Sequence, residues 1–278
     1  MRSLRKRSLS SGWYPASKAE TIKKIESFSK EKIKFNAVKG GKYGGVIPHA
    51  GWYYSGGLAA AVMHSLVRTE PELVLLFGGH LSSEETPVIT IAGEWETPLG
   101  SMKMETEISA KIMEKFSLKD DIYPDNTLEI QLPLIKYYFP AAKLLALRLP
   151  ASMEAAKLSE NIINIIQNTY KKYIVLASTD LTHYGDNYNF IPAGRGKKTL
   201  DWVRSNDKGF IDLALKLKTE ELLEYAEKNQ SACSSGAVAG LTSAAGILGA
   251  KKGELLGYKT SYETTPSDSF VGYAGIVF

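Results

Sequence analysis

Short apolar runs alternate along the whole chain with segments whose apolar residues recur every three to four positions. A run of four to eight apolar residues bounded by turn formers suits a strand buried on both faces, and the longer recurrence suits a helix that buries one stripe. This pattern predicts strands over residues 44–48, 72–78, 88–92, 143–149, 173–178, 254–259 and 270–278. It predicts helices over 18–29, 55–66, 105–116, 128–138, 152–170, 208–217, 221–228 and 235–248. Ser17 with Glu20, Ser152 ahead of Glu154, and Thr219 ahead of Leu222 and Leu223 supply N-terminal caps. Pro133 lies inside the 128–138 pattern and lacks an amide hydrogen, so that helix must start late or kink. Strand and helix alternating in this way predict an α/β protein: one three-layer domain with a mostly parallel or mixed central sheet flanked by helices.

The remaining composition narrows the picture. No internal repeat, low-complexity tract or linker interrupts the 278 residues, so residues 11–278 are read as one domain behind a basic tail, 1–10. Stretch 184–198, rich in Gly, Asn and Pro, reads as a functional surface loop. With 44% hydrophobic and 23% charged residues, the chain has enough apolar material for a core without staples. Cys233 is the single cysteine, which excludes an internal disulfide and points to a reducing, cytoplasmic setting. The formal charge of +4 is matched by Arg2, Arg5, Lys6 and Arg7 alone, leaving a neutral body without the basic face of a nucleic-acid binder. The Arg- and Ser-rich opening MRSLRKRSLSS is short, and no long amphipathic helix follows it; it is read as a solvated tail in preference to a transit peptide. No apolar run approaches the ~18 residues of a membrane span. No GxxxxGK[ST] occurs, and GGKYGG precedes a strand where a phosphate loop follows one, so no nucleotide cofactor is expected.

Candidate chemistry gathers at strand ends. His49 closes GGVIPHAG, His80 closes LVLLFGGH, and His183 lies just past IVLASTDLTH. Open α/β sheets bind ligands beyond the carboxyl ends of their strands, so three histidines delivered there form a candidate constellation. Gly51, Gly56 and Gly57 near His49, and Gly78 with Gly79 before His80, let backbone and ligand approach closely; alternatively they only let the chain turn. His64 has no such context and is read as an ordinary helix residue. In STDLTH, Asp180 either orients the His183 imidazole as a base partner or caps a short turn. Cys233 precedes a small-residue helix whose dipole favours a thiolate, giving a soft metal ligand or nucleophile; the alternative is a small buried hydrophobe. Glu129 either points into the site or sits on the wet face of its helix.

Taken in order, SGWYP, VIPHAGWYYSG, FGGHLSS, TPLGSM, LEIQLPLI, STDLTHYG, SACSSGA and VGYAGIVF resemble the Memo-like family, which includes AmmeMemoRadiSam system protein B. The motifs run from Ser11 to Phe278. The resemblance implies the fold of the catalytic subunit of class III extradiol dioxygenases, with His49, His80 and Cys233 at the family's metal positions. It places Asp180 and His183 in the same cleft as catalytic groups. Iron or copper is the implied ion, and zinc also suits two histidines and a cysteine. Those dioxygenases use a carboxylate as third ligand, so the cysteine separates this chain from their activity. Asn126 stands where many members have histidine, and Ser234 where glycine commonly follows the cysteine.

The leading expectation is therefore a metal-dependent redox or oxygen-using enzyme acting on a small molecule or peptide. Its alternative is a non-catalytic protein that holds a peptide or partner in the same cleft, with Trp52, Tyr53 and Tyr54 stacking at the rim; the plainer reading of those aromatics is helix-start packing. A third reading pairs Cys233 with His183 for hydrolysis. The family name also implies AMMECR1-like and radical SAM proteins as pathway companions.

Overall fold

Four strands predicted from apolar runs lie side by side in parallel at the centre of the protein. The computed structural model describes residues 3–30, 43–196 and 198–278. In chain order the elements are β1 (Leu4–Arg5), α1 (Lys18–Phe28), β2 (Gly44–Ile47), α2 (Trp52–Leu66), β3 (Leu73–Leu81), β4 (Val88–Ile89), β5 (Glu94–Trp95), β6 (Met102–Lys103), α3 (Thr106–Lys115), β7 (Lys119–Asp120), α4 (Asn126–Glu129) and α5 (Leu132–Tyr138). They continue with β8 (Lys143–Pro150), α6 (Met153–Ile166), β9 (Tyr173–Ser178), β10 (His183–Tyr184), α7 (Lys198–Leu215), α8 (Thr219–Asn229), α9 (Ser235–Ile247), β11 (Glu254–Thr260) and β12 (Phe270–Val277). The order β2-β9-β3-β8 is parallel throughout. On one side β12 pairs antiparallel with β2 and carries β10 and β11; on the other, β4 pairs antiparallel with β8 and parallel with β7. The result is a mixed sheet of nine strands.

Alternation along β3 explains the three layers. Leu73, Leu75 and Phe77 enter one core with Ile162 and Ile163 of α6 and Leu241 of α9. Val74 and Leu76 enter the other with Ala60 and Met63 of α2 and Ile135 of α5. Successive side chains of a strand point to opposite faces, so a run apolar at every position demands a helix layer on each.

Several boundaries depart from the sequence reading. The 128–138 segment divides into α4 and α5, and Pro133 occupies the first turn of α5, where no amide donor is needed. Helix α7 begins ten residues before position 208, because its exposed first turns hide a stripe that includes Val203, Phe210 and Ala214. Ser17 and Ser152 cap as expected, accepting from the amides of Glu20 and Ala155. Thr219 instead lies inside α8, its hydroxyl 2.9 Å from that of Thr242. Strand β4 holds only two of the five residues predicted for it, and five further two-residue strands are too short to show any period.

The described part of 1–10 is not a solvated tail. Strand β1 pairs parallel with β5 and extends a small sheet through β6. Arg5 lies 4.1 Å over the ring of Trp95 and donates to the carbonyls of Asp121 and Tyr123. A guanidinium that satisfies carbonyls while stacking on an indole ties the strand to the body of the protein. Of the GGKYGG segment, Gly40, Gly41 and Lys42 lie outside the described residues; Gly44 and Gly45 are in β2. Among the described residues, no helix is long and apolar enough to cross a membrane.

Candidate metal centre

The carboxyl ends of β2, β3 and β9 open at one edge of the sheet, and each delivers a polar side chain there. His49 follows β2 and is 2% exposed. Its backbone amide and that of Ala50 donate to one oxygen of Asp180, at 2.7 and 3.2 Å, which fixes the turn between β2 and α2. The ring is held from behind: Nδ1 lies 3.3 Å from Ser178 Oγ at the end of β9. Gln131 Nε2 donates to Ser178 Oγ at 3.1 Å and to the Pro48 carbonyl at 2.8 Å. With Nδ1–H donated to Ser178, the lone pair of His49 sits on Nε2, facing the cleft. Gln131, from IQLP, is the orienting residue that the sequence reading missed; only its polarity in an apolar run marked it.

His80 is carried within β3, which runs past its predicted end through an irregularity between Gly78 and Leu81. Gly79 has φ +103°, and a Cβ there would stand 2.6 Å from Cβ of Arg148. The Gly79 amide donates at 2.8 Å to Thr127 Oγ1 at the start of α4. The glycine pair thus serves the approach of strand and helix backbones, and the left-handed turn presents His80 to the cleft.

Cys233 arrives from the far side, just ahead of α9. Its amide donates to the Asp180 carbonyl at 3.2 Å, and Ser234 N donates to Thr179 Oγ1 at 3.1 Å. Cys233 Sγ lies 3.1 Å from His49 Nε2, and His49 Nε2 lies 3.2 Å from His80 Nε2. All three donor atoms fall within 4.8 Å of one another. Ligands of one tetrahedral ion, bound at ~2.0–2.3 Å, stand roughly 3.3–3.6 Å apart. The two imidazoles and the thiol therefore fit a single ion of borderline softness.

Burial drives every group here toward its neutral form. It lowers His49 to about 4, and it lowers His80, aided by the neighbouring His49. Burial and the Asp180 carboxylate push the Cys233 thiol up to about 12. This reverses the thiolate expected from the helix dipole: Cys233 precedes the helix and sits against a carboxylate and a carbonyl. Burial raises Asp180 to about 6 against the pull of His183 and the two amides, and it lowers His183 against the charge of Asp180.

His183 Nδ1 lies 3.0 Å from the Leu181 carbonyl, and its ring meets Tyr188 edge-on. The segment beneath it is held by Asp207 of α7, whose carboxylate accepts from the amide (2.9 Å) and hydroxyl (2.5 Å) of Thr182 and from the Tyr258 hydroxyl (2.7 Å). Asp180 and His183 thus share a cleft without the direct hydrogen bond weighed from the sequence. Asp180 caps no helix either; it secures the His49 turn. The sulfur of Cys233 faces His49, so the Cys233–His183 pairing is not formed.

Tyr54 and Asn126 line the cleft. Trp52 does not. It is buried against Tyr14 and Phe28, and its Nε1 donates to the Ile130 carbonyl at 3.2 Å. Glu129 also lies elsewhere: its carboxylate accepts from the amides of Ser8 and Leu9 and from Tyr14 Oη, at 2.8–2.9 Å, and clamps the N-terminal segment to α4. Trp52 thus follows the plainer reading, helix-start packing, whereas Glu129 follows neither of its two readings, because Ser8 and Leu9 of the 1–10 segment cover it. Two cavities, of about 480 and 900 Å³, meet at His80, His183 and Tyr188.

A family model described as Memo-like protein matches residues 5–277. A MEMO1 family protein of Nitrosopumilus maritimus is 31% identical over 287 aligned positions, covering 99% of each chain. A MEMO1 family protein of Pyrococcus horikoshii is 30% identical over 280 positions, covering 95% of this chain and 96% of the relative. Among solved structures, the uncharacterized protein JW3007 from Escherichia coli K12 aligns with a TM-score of 0.49 at 9% identity, over 78% of this chain and 92% of its own.

Proposed function

The chain belongs to the Memo-like family, and on that premise we propose that it is a metal-dependent redox or oxygen-using protein whose ion is held by His49, His80 and Cys233. The observation that carries this reading is the convergence of two imidazole nitrogens and one sulfur within 4.8 Å. Nitrogen and sulfur donors suit iron, copper or zinc and are a poor match for magnesium or calcium. Bound there, iron or copper would supply one-electron chemistry and a Lewis acid to a ligand in the cleft.

The chain's own residues set the terms of that chemistry. His49 and His80 are neutral near pH 7, so no proton competes for their lone pairs. The thiol of Cys233 keeps its proton until a cation displaces it. Asp180 holds the His49 turn through two amides, and Ser178 with Gln131 fixes the ring. His183, with Nδ1 engaged by the Leu181 carbonyl, offers Nε2 to take a proton from a bound ligand. With Trp52 buried, a binding-only role for the same cleft would rest on Tyr53 and Tyr54 at its rim.

Anaerobic purification followed by metal analysis tests the assignment. The native chain should carry about one ion, and His49→Ala and His80→Ala should lose most of it, while His64→Ala retains it. Unchanged metal content in both site variants would sink the proposal.

A further inference from the structure

We propose that the buried ion cluster of Arg148, Asp121 and Asp125, acting through the Thr127 hydroxyl, is the positioning device that aims His80 at the metal centre. The inference rests on the metal reading for its consequence, a held ion; its geometry stands without one. His80 needs such a device because its ring has no anchor of its own. His49 Nδ1 lies 3.3 Å from Ser178 Oγ. Among the described residues, the His80 ring has one polar neighbour at hydrogen-bond distance, His49 Nε2 at 3.2 Å, which is a fellow ligand atom. The direction of His80 is therefore set by the backbone that carries it, and that backbone turns at Gly79 with φ +103°. Fixing the Gly79 amide fixes the peptide plane from which the turn starts.

Arg148 interrupts an otherwise apolar stretch of β8, on the face that carries Leu144 and Ala146 into the core. It pairs in register with Gly78, and its stem fills the space that a Cβ on Gly79 would take. Its guanidinium reaches the Asp121 carboxylate through Nε at 2.9 Å and Nη2 at 2.5 Å, and its Nη1 lies 3.6 Å from Asp125 Oδ2. The other Asp125 oxygen accepts from the Thr127 hydroxyl and, at 3.3 Å, from the Leu128 amide. The Thr127 proton is thereby committed to Asp125. Only a lone pair of its oxygen is left for the Gly79 amide, which donates to it at 2.8 Å. The chain of contacts thus ends one residue before His80.

Asp121, Asp125 and Thr127 are buried, and so is most of the Arg148 side chain. Replacing a buried ion pair by apolar residues of the same volume often costs nothing in stability, and the best-attested use of such pairs is to fix one arrangement. The arrangement fixed here is the seat of α4 against the end of β3. Asn126, between Asp125 and Thr127, lines the cleft, so the same turn of chain sets a metal ligand and a piece of the cleft wall.

Anaerobic titration of the full chain with cobalt(II), against a competing chromophoric chelator, tests the device through the pair Thr127→Ser and Thr127→Val. Serine keeps the hydroxyl, and valine keeps the shape without it. T127S should bind cobalt as the native chain does, and T127V about tenfold more weakly, the scale of losing a hydrogen bond behind a metal ligand. Arg148→Lys keeps one charge and cannot serve both carboxylates; it should also weaken binding, and it carries the test where T127V does not fold. Ile112→Ala, in the core on the opposite face of the sheet from α4, is the control for lost stability: the melting temperature should fall and cobalt affinity stay unchanged. Native affinity in T127V and R148K, or a loss in T127S or I112A equal to that in T127V, overturns the proposal. Hydrogen exchange at the Gly79 amide of the metal-free protein separates it from the metal reading. A native chain that binds no cobalt defeats the metal reading, and the amide then decides alone. Protection kept in T127S and lost in T127V supports the anchor, and equal protection in both overturns it.

Discussion

Burial acts on His49, Asp180 and Cys233 in one sense, toward neutrality, and so leaves a site whose electrostatics a cation would invert. The same effect at Asp207 gives a prediction free of the metal. Burial raises Asp207 to about 6 from 3.8, so between those values the folded chain keeps a proton that the unfolded chain releases. Its contribution to stability is full below the lower value and is lost as pH rises through 6, a swing of about 3 kcal/mol. His49 runs the other way: its folded value of about 4 lies below 6.5, so stability is lost as pH falls through that window. Asp207→Asn should remove the first effect and leave the second. Urea midpoints at about pH 4.5 and pH 7 should show the variant gaining on the native chain at the higher pH; parallel midpoints would contradict the assignment. His49, His80 and Cys233 were legible in the sequence because strand ends and local glycines marked two of them and a family motif the third. Gln131 and Asp207 were not, since a buried polar residue that positions another looks the same in sequence as one on a wet helix face.

At the scale of elements, the end of β3 decides where His80 points. Gly79 adopts a backbone conformation that L side chains rarely adopt, and its missing Cβ admits Arg148. Gly79→Ala should therefore move His80, lowering metal affinity well beyond the loss of stability, with retention during dialysis against a chelator and the melting temperature as paired readouts. Equal retention at a reduced melting temperature would show that this turn does not aim the ligand. The long apolar strands were readable because burial on both faces leaves no polar position to blur them. The two-residue strands were not, because pairing partners distant in sequence create them: β1 exists only against β5, and β10 only against β12.

Taken as one molecule, the mixed sheet turns distant sequence into a shared edge. Parallel order across β2, β9, β3 and β8 points their carboxyl ends the same way, and α9 returns Cys233 to that edge from more than 180 residues beyond His49. The N-terminal segment holds α4, the helix that accepts from Gly79, through the Glu129 carboxylate, and Arg5 ties the same segment to the carbonyls of Asp121 and Tyr123 ahead of that helix. One ion bound at this edge through nitrogen and sulfur together would carry a direct spectroscopic signature. X-ray absorption at the metal edge of anaerobically purified protein measures it: a sulfur scatterer is expected at about 2.3 Å beside nitrogen or oxygen at about 2.0–2.1 Å, with the sulfur absent in Cys233→Ser. A native spectrum fitted by nitrogen and oxygen alone would contradict it.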